Sequence, residues 1–431
     1  MERDADRHWL VTPEGSAYLI FAMDHVGVEK VSREYNRDHW NAELGLSPEA
    51  GRESRLEAFY RKKVTEDREY LGFNCLYSHQ APAGLEICPY IPRTRTLDIE
   101  YWRTRLDSFR EENFLDVFSA EFEASCASAA RAMARAGRAS DPWVVAHALT
   151  DCPVLVPEEA RVRGPGFYHK PLPGTTTWPV RLRNLGAEAP GKGAFVDLVR
   201  ERYGGDIARF NAAYNTAFRS WDALARTADW RPRPDPGGNA SEERDNLAFL
   251  LRILDKAWGT QVRAIRGEDP NHLVFGDTLN LNSPLPDEIV RLYAKHFPVI
   301  VYQYYGATWE DHRRVLDRLR LVGGGAPAFG ADSCWSVPDP PRMPDPLGPQ
   351  CADHAVAARR MEEVFRSAFA RPDFVGWGWC GWMDQWESVE PYMQHAGLQD
   401  AHGKWRQPLA DAYAAFGKEL YEVATKRRER E

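Results

Sequence analysis

The sequence predicts a (β/α)8 TIM barrel within the α/β class, and three observations carry that expectation. Eight short apolar or β-branched runs punctuate the 431 residues, and most precede a longer stretch of helical periodicity. No glycine-rich turn follows a strand and opens a helix: GGDIARF after Tyr203 sits between helices, and GGGAPAF precedes a strand. A doubly wound dinucleotide-binding sheet is therefore disfavoured. Two long interruptions fall where a barrel carries the loops of its catalytic face.

Taken in order, strands are expected at 17–24 (AYLIFAMD), 72–78 (GFNCLYS), 85–90 (LEICPY), 143–150 (WVVAHALT), 272–278 (HLVFGDT), 298–304 (PVIVYQY), 327–333 (PAFGADS) and 374–382 (FVGWGWCGW). Helical pattern occupies 53–70, 119–136, 241–267, 285–296, 307–321, 354–370 and 407–425. Between the second and third strands, HQAPAGL is too short for a full helix. Residues 1–431 read as one catalytic barrel domain. A loop and helical insertion occupies 152–240 after strand four, and a Pro-rich loop 335–351 after strand seven.

The net charge of −8 excludes a basic face of the kind that displaces counterions from phosphate, so no nucleic-acid partner is expected. MERDADRHWLV lacks the apolar stretch of a signal peptide and no run approaches a membrane span, which predicts a cytoplasmic protein with no membrane partner. Seven scattered cysteines without a CxxC pair read as reduced thiols. The twelve histidines show no HExxH spacing, so neither a metal nor another cofactor is expected.

Four tryptophans, Trp377, Trp379, Trp382 and Trp386, fall within ten residues of FVGWGWCGWMDQWES. Indole faces suit the apolar face of a sugar ring, with Asp384, Gln385 and Glu387 placed to hydrogen-bond its hydroxyls. Indoles also simply fill cores. In a barrel, chemistry collects at the carboxyl ends of the strands. The candidates there are Asp24, His25, Asn74, His79, Asp151, Asp277, Asn280, Tyr302, Tyr304, Asp332, Trp335, Trp379 and Trp382, together with the three polar residues just named. Carboxylates, amides and aromatics without a Lys or Arg cluster suit a neutral polyhydroxylated ligand rather than phosphate.

HWLVTPEGSAYLIFAMDHV, YLGFNCLYS, DPWVVAHALTD, the YGGDI…SWDAL segment, GWGWCGWMDQW and GLQDAHGKWRQPL together resemble clan A glycoside hydrolases. The nearest resemblance is to the agarase-like enzymes of glycoside hydrolase family 50 and to β-galactosidase-type barrels. It implies a barrel that cleaves a glycosidic bond, with one carboxylate ending strand four and another ending strand seven. The family carries Asn-Glu at the first place and a glutamate at the second; here they read Thr150-Asp151 and Ala331-Asp332. The resemblance therefore puts the acid role on Asp151 and the base or nucleophile role on Asp332. Shortening both side chains widens the gap towards the roughly 6.5–9.5 Å of inverting enzymes. The competing readings are a degenerate barrel that binds an oligosaccharide or glycoside without cleaving it, and another barrel chemistry.

Overall fold

Burial along the central strands is continuous rather than alternating: Ile20–Met23, Ala328–Ser333 and Phe374–Trp379 are buried at every position. Such strands belong to a parallel sheet covered on both faces. The computed structural model describes residues 1–4, 7–77, 93–96, 115–153, 155–157, 163–164, 167–168, 177–235, 238–282, 284–390 and 393–426. The sheet strands are β1 (Ile20–Met23), β2 (Cys75–Leu76), β3 (Arg93–Thr96) and β4 (Val144–Asp151). β5 (Leu273–Asn280), β6 (Ile300–Gln303), β7 (Ala328–Ser333) and β8 (Phe374–Trp379) complete it.

The architecture is mixed α/β around this curled parallel sheet. Each strand pairs in parallel with the next, and β8 returns to β1 through Gly376↔Ile20 to Trp379↔Met23, so the hydrogen-bonded order ends where it began. The thinnest join is β2 to β3, a single register pair, Leu76↔Arg93. The third strand lies downstream of 85–90, a stretch outside the described residues.

Helices follow most strands at the expected places: Ala120–Arg135, Ala240–Glu268, Asp287–His296, Trp309–Val322, His354–Phe369 and Leu409–Thr425. Their starts are specified locally. Ser119, Asn239 and Asp353 each accept a backbone N–H of the first turn, and Thr308 with Asp311 forms a reciprocal capping box. The stretch expected as one helix at 53–70 is Arg52–Ala58, a π-helical Phe59–Val64 and Thr65–Leu71. Among the described residues between β4 and Ala240–Glu268 lie four helices, Trp178–Arg183, Pro190–Arg202, Ile207–Tyr214 and Trp221–Arg226. After β7 the Pro-rich loop folds on itself through Ser336↔Gln350 and Asp339↔Met343 and buries Met343 and Leu347.

Between sheet and helices runs an aromatic layer. Phe21 stacks on Tyr413 at 4.3 Å, Phe365 meets Trp377 at 5.0 Å, and Trp335 stacks on Trp377 at 5.9 Å. At the amino-terminal side of the strands the polar groups close on one another. His147 Nε2 and His272 Nδ1 share Asp269 Oδ2 at 2.6 and 2.7 Å, and Arg7 donates to the carbonyls of Arg371 and Phe374. Among the described residues no helix is long and apolar enough to cross a membrane.

Candidate active site

Two non-glycine residues with left-handed backbone stand just beyond carboxyl ends of sheet strands: His25, φ 56°, after β1 and Cys152, φ 45°, after β4. Side chains rarely adopt this conformation unless the surroundings hold them in it, and such strain collects at functional sites. Cys152 N–H is anchored on Thr278 O at 3.1 Å. Its thiol donates to Gln303 Oε1 at 2.8 Å, and Gln303 Nε2 donates to Asp332 Oδ2 at 2.6 Å. Gln303 thus ties the end of β4 to the end of β7. Register agrees, since Thr278 is opposite Asp151 and Gln303 opposite Asp332.

The electrostatics of this thread are those of carboxylates surrounded by protonated neutral donors. Burial, then the charges of Asp151 and Asp332, push the Cys152 thiol well above its ordinary range. Burial, then Asp332, does the same to Tyr305. Burial also raises the Cys380 thiol, which lies in hydrogen-bond reach of Cys334 and Asp332. Cys380 Sγ is 3.7 Å from His395 Nδ1, and the His395 ring is 4.5 Å from that of His25. Asp24 is fully buried beside Gly378, where a Cβ would stand 2.8 Å from Asp24 Oδ2 and 2.2 Å from Ala331 O. Only glycine leaves room there for that carboxylate.

Along one side, 30–35 packs on 385–387. Lys30 Nζ donates to Gln385 Oε1, whose own Nε2 is buried without a partner among the described residues. Burial pulls the Lys30 ammonium down to about 8. Tyr35 stacks on Trp386 at 5.0 Å, the Arg342 guanidinium lies 4.9 Å from the same indole, and Arg33 pairs with Glu387 at 3.3 Å. Trp386 is half-buried, whereas Trp377, Trp379 and Trp382 are fully buried.

Several expected ligand contacts are instead spent on the scaffold. Trp335, Trp379 and Trp382 are 1%, 1% and 0% exposed. The first two belong to the layer against Phe365, and Trp382 donates to Asp67 Oδ2 at 2.8 Å and packs on Phe59. For these three, core filling replaces the sugar platform: strand alternation turns Trp379 towards the helices, and Trp335 and Trp382 pack into the layer from the loops that follow their strands. Asn74 receives the Phe21 N–H and donates to Leu19 O, stapling strands at their amino ends. Asp277 accepts from Trp258 Nε1 at 2.7 Å and Thr150 N at 2.9 Å, facing the helix Ala240–Glu268; burial raises it to about 6. Asp384 takes Gly397 N and Arg406, and burial again raises it to about 6 against that cation. Tyr302 is buried beside Gly330, and Tyr304 packs edge-on against His312. Asn280 does stay at the strand ends, opposite Gln303, with Nδ2 buried and unpartnered among the described residues. His79 lies outside the described residues.

Lys30, Cys152, Cys380, His395 and Tyr35 were not among the sequence candidates. Strand-end position was a signal for Cys152, directly after Asp151, and for Cys380, directly after Trp379 in the expected run 374–382; Lys30, Tyr35 and His395 lie outside the expected strands and helices. A cavity of about 430 Å3 lined by Phe297, Pro298, Arg320, Pro327, Pro372 and Asp373 opens beside the amino ends of β6 to β8.

No protein-family model matches the chain. A curated relative, beta-agarase A of Vibrio sp. (strain JT0107), is 25% identical over 214 residues, 46% of this chain and 19% of its own. Among solved structures, the agarase AgWH50C superposes with a TM-score of 0.76 at 18% identity, covering 99% of this chain and 65% of that one. An exo-beta-agarase gives 0.75 at 17%, covering 98% and 65%. A β-galactosidase from the psychrophilic Marinomonas ef1 gives 0.56 at 12%, covering 94% and 62%. The chain thus spans about a fifth of the curated relative and just under two thirds of the solved ones; what it shares with those structures is the fold.

Proposed function

We propose that this chain is a glycoside hydrolase on a complete (β/α)8 barrel, cleaving a glycosidic bond in an oligosaccharide or glycoside with Asp151 as acid and Asp332 as base or nucleophile. The observation that carries this reading is the thread Cys152–Gln303–Asp332, which links the two strand ends where an agarase-like barrel needs its carboxylates. The amide donor on Asp332 Oδ2 favours its ionised form, as a base or nucleophile requires. Asp151 then delivers a proton to the leaving oxygen, and the short side chains favour admission of a water and inversion. Trp386 with Tyr35 supplies the sugar-stacking face. The names of the neighbours, agarases and a β-galactosidase, agree in substrate class.

The second reading, a barrel that binds sugar without cleaving it, is favoured by the replacement of both expected glutamates by aspartates. A screen of aryl glycosides and oligosaccharides, run on wild type, Asp151→Asn and Asp332→Asn, separates the two. Hydrolysis is expected for wild type, with losses of about 100-fold or more in each variant. Saturable binding with no turnover of any glycoside by wild type supports the binder and overturns the hydrolase.

A further inference from the structure

We propose that His25, Cys380 and His395 form a binding site for a zinc-like divalent transition ion, with water as the fourth ligand. The proposal does not rest on the hydrolase reading. Each of the three residues offers a ligand atom within 4.8 Å of the others, and thiolate with imidazole is a donor set suited to zinc. The spacing of two of the ligand atoms supports it. Metal–sulfur and metal–nitrogen bonds of about 2.3 and 2.0–2.1 Å at a tetrahedral angle place S and N about 3.6 Å apart. Cys380 Sγ and His395 Nδ1 are 3.7 Å apart.

The second histidine cluster shows what a site of the other kind looks like. In His147–Asp269–His272 the ring nitrogens approach one carboxylate oxygen at 2.6 and 2.7 Å. Nitrogen and oxygen bound to one tetrahedral ion stand about 3.4 Å apart, so those contacts are hydrogen bonds that leave no room for a metal. Asp269 Oδ1 is also taken by the N–H groups of Asn271 and His272.

Asp332 stands outside the three-residue ligand set, in hydrogen-bond reach of the Cys380 thiol, and Gln303 holds that carboxylate from the far side, so it acts as an outer group beside the site. On binding, the Cys380 S–H bond breaks, its proton passes to solvent, and sulfur donates the electron pair to the ion.

The test uses the full chain, stripped with chelator and titrated with zinc sulfate by calorimetry, with bound metal counted after desalting. One ion per chain is expected. Cys380→Ser and His395→Gln weaken binding by about 100-fold or more, while Asp269→Asn leaves affinity unchanged. Cobalt loading of wild type gives a thiolate-to-metal charge-transfer band, a readout that needs no variant to fold. Absence of stoichiometric zinc, absence of that band, or undiminished affinity in Cys380→Ser overturns the site whether or not the protein hydrolyses a glycoside.

Discussion

At the amino-terminal side of β4 and β5, His147, Asp269 and His272 satisfy one another. At the carboxyl ends of β1 and β8, His25, Cys380 and His395 meet across longer distances beside Asp332. The first cluster is a closed knot: His272 Nε2 also reaches Asp141 O at 3.0 Å. Hydrogen bonds from His147 and His272 outweigh the burial of Asp269 and hold it at about 2. The second brings two imidazoles and a thiol together at spacings wider than those of the first, beside the strained backbone of His25. Hydrogen-bond spacing marks groups that hold the fold, and ligand spacing beside strained backbone marks groups placed for a ligand.

The sharpest way to break this comparison is to cut an aromatic on each side of the division. Trp377→Ala empties a site packed by Trp335, Phe365 and His312 and is expected to cost about 3–5 kcal/mol in urea unfolding. Trp386→Ala is expected to cost under about 1 kcal/mol while weakening oligosaccharide binding about tenfold. Equal stability losses would dissolve the distinction between layer and mouth.

A smaller effect tests Asp277 as scaffold. Its folded pKa, about 6, lies above the unfolded value, so its protonated form stabilises the fold. That contribution is complete below about pH 4 and is lost as pH rises through 6, on the order of 3 kcal/mol in all. Asp277→Asn should therefore remove part of the decline in stability between pH 4 and 7, measured by urea unfolding against wild type. An unchanged slope would mean that Asp277 is charged in the fold and not held by burial.

Much of the fold was legible because it is written in periodicity. The runs 17–24 and 374–382 contain their strands, 143–150 covers all but the last residue of its own, and the helices expected after residue 119 begin and end within two residues or so of their patterns. Asp151 and Asp332 were legible for the same reason, as the polar residues that end apolar strands. The tryptophans misled because alternation gives two faces and does not say which one meets helices: Trp377 and Trp379 share a face, and it is the covered one. Lys30 and His395 were not legible. They lie outside every expected strand and helix, and only tertiary pairing brings 30 beside 385 and 25 beside 395.

The most direct test of the division is a double dissociation between two buried aspartates, Asp332→Asn and Asp269→Asn, each measured for turnover of the best glycoside found and for melting temperature. The account predicts that Asp332→Asn loses turnover by about 100-fold or more with its melting temperature within a few degrees of wild type. It predicts that Asp269→Asn melts clearly lower, for about 3 kcal/mol, yet keeps its turnover at a temperature where it is folded. Full turnover in Asp332→Asn would contradict it.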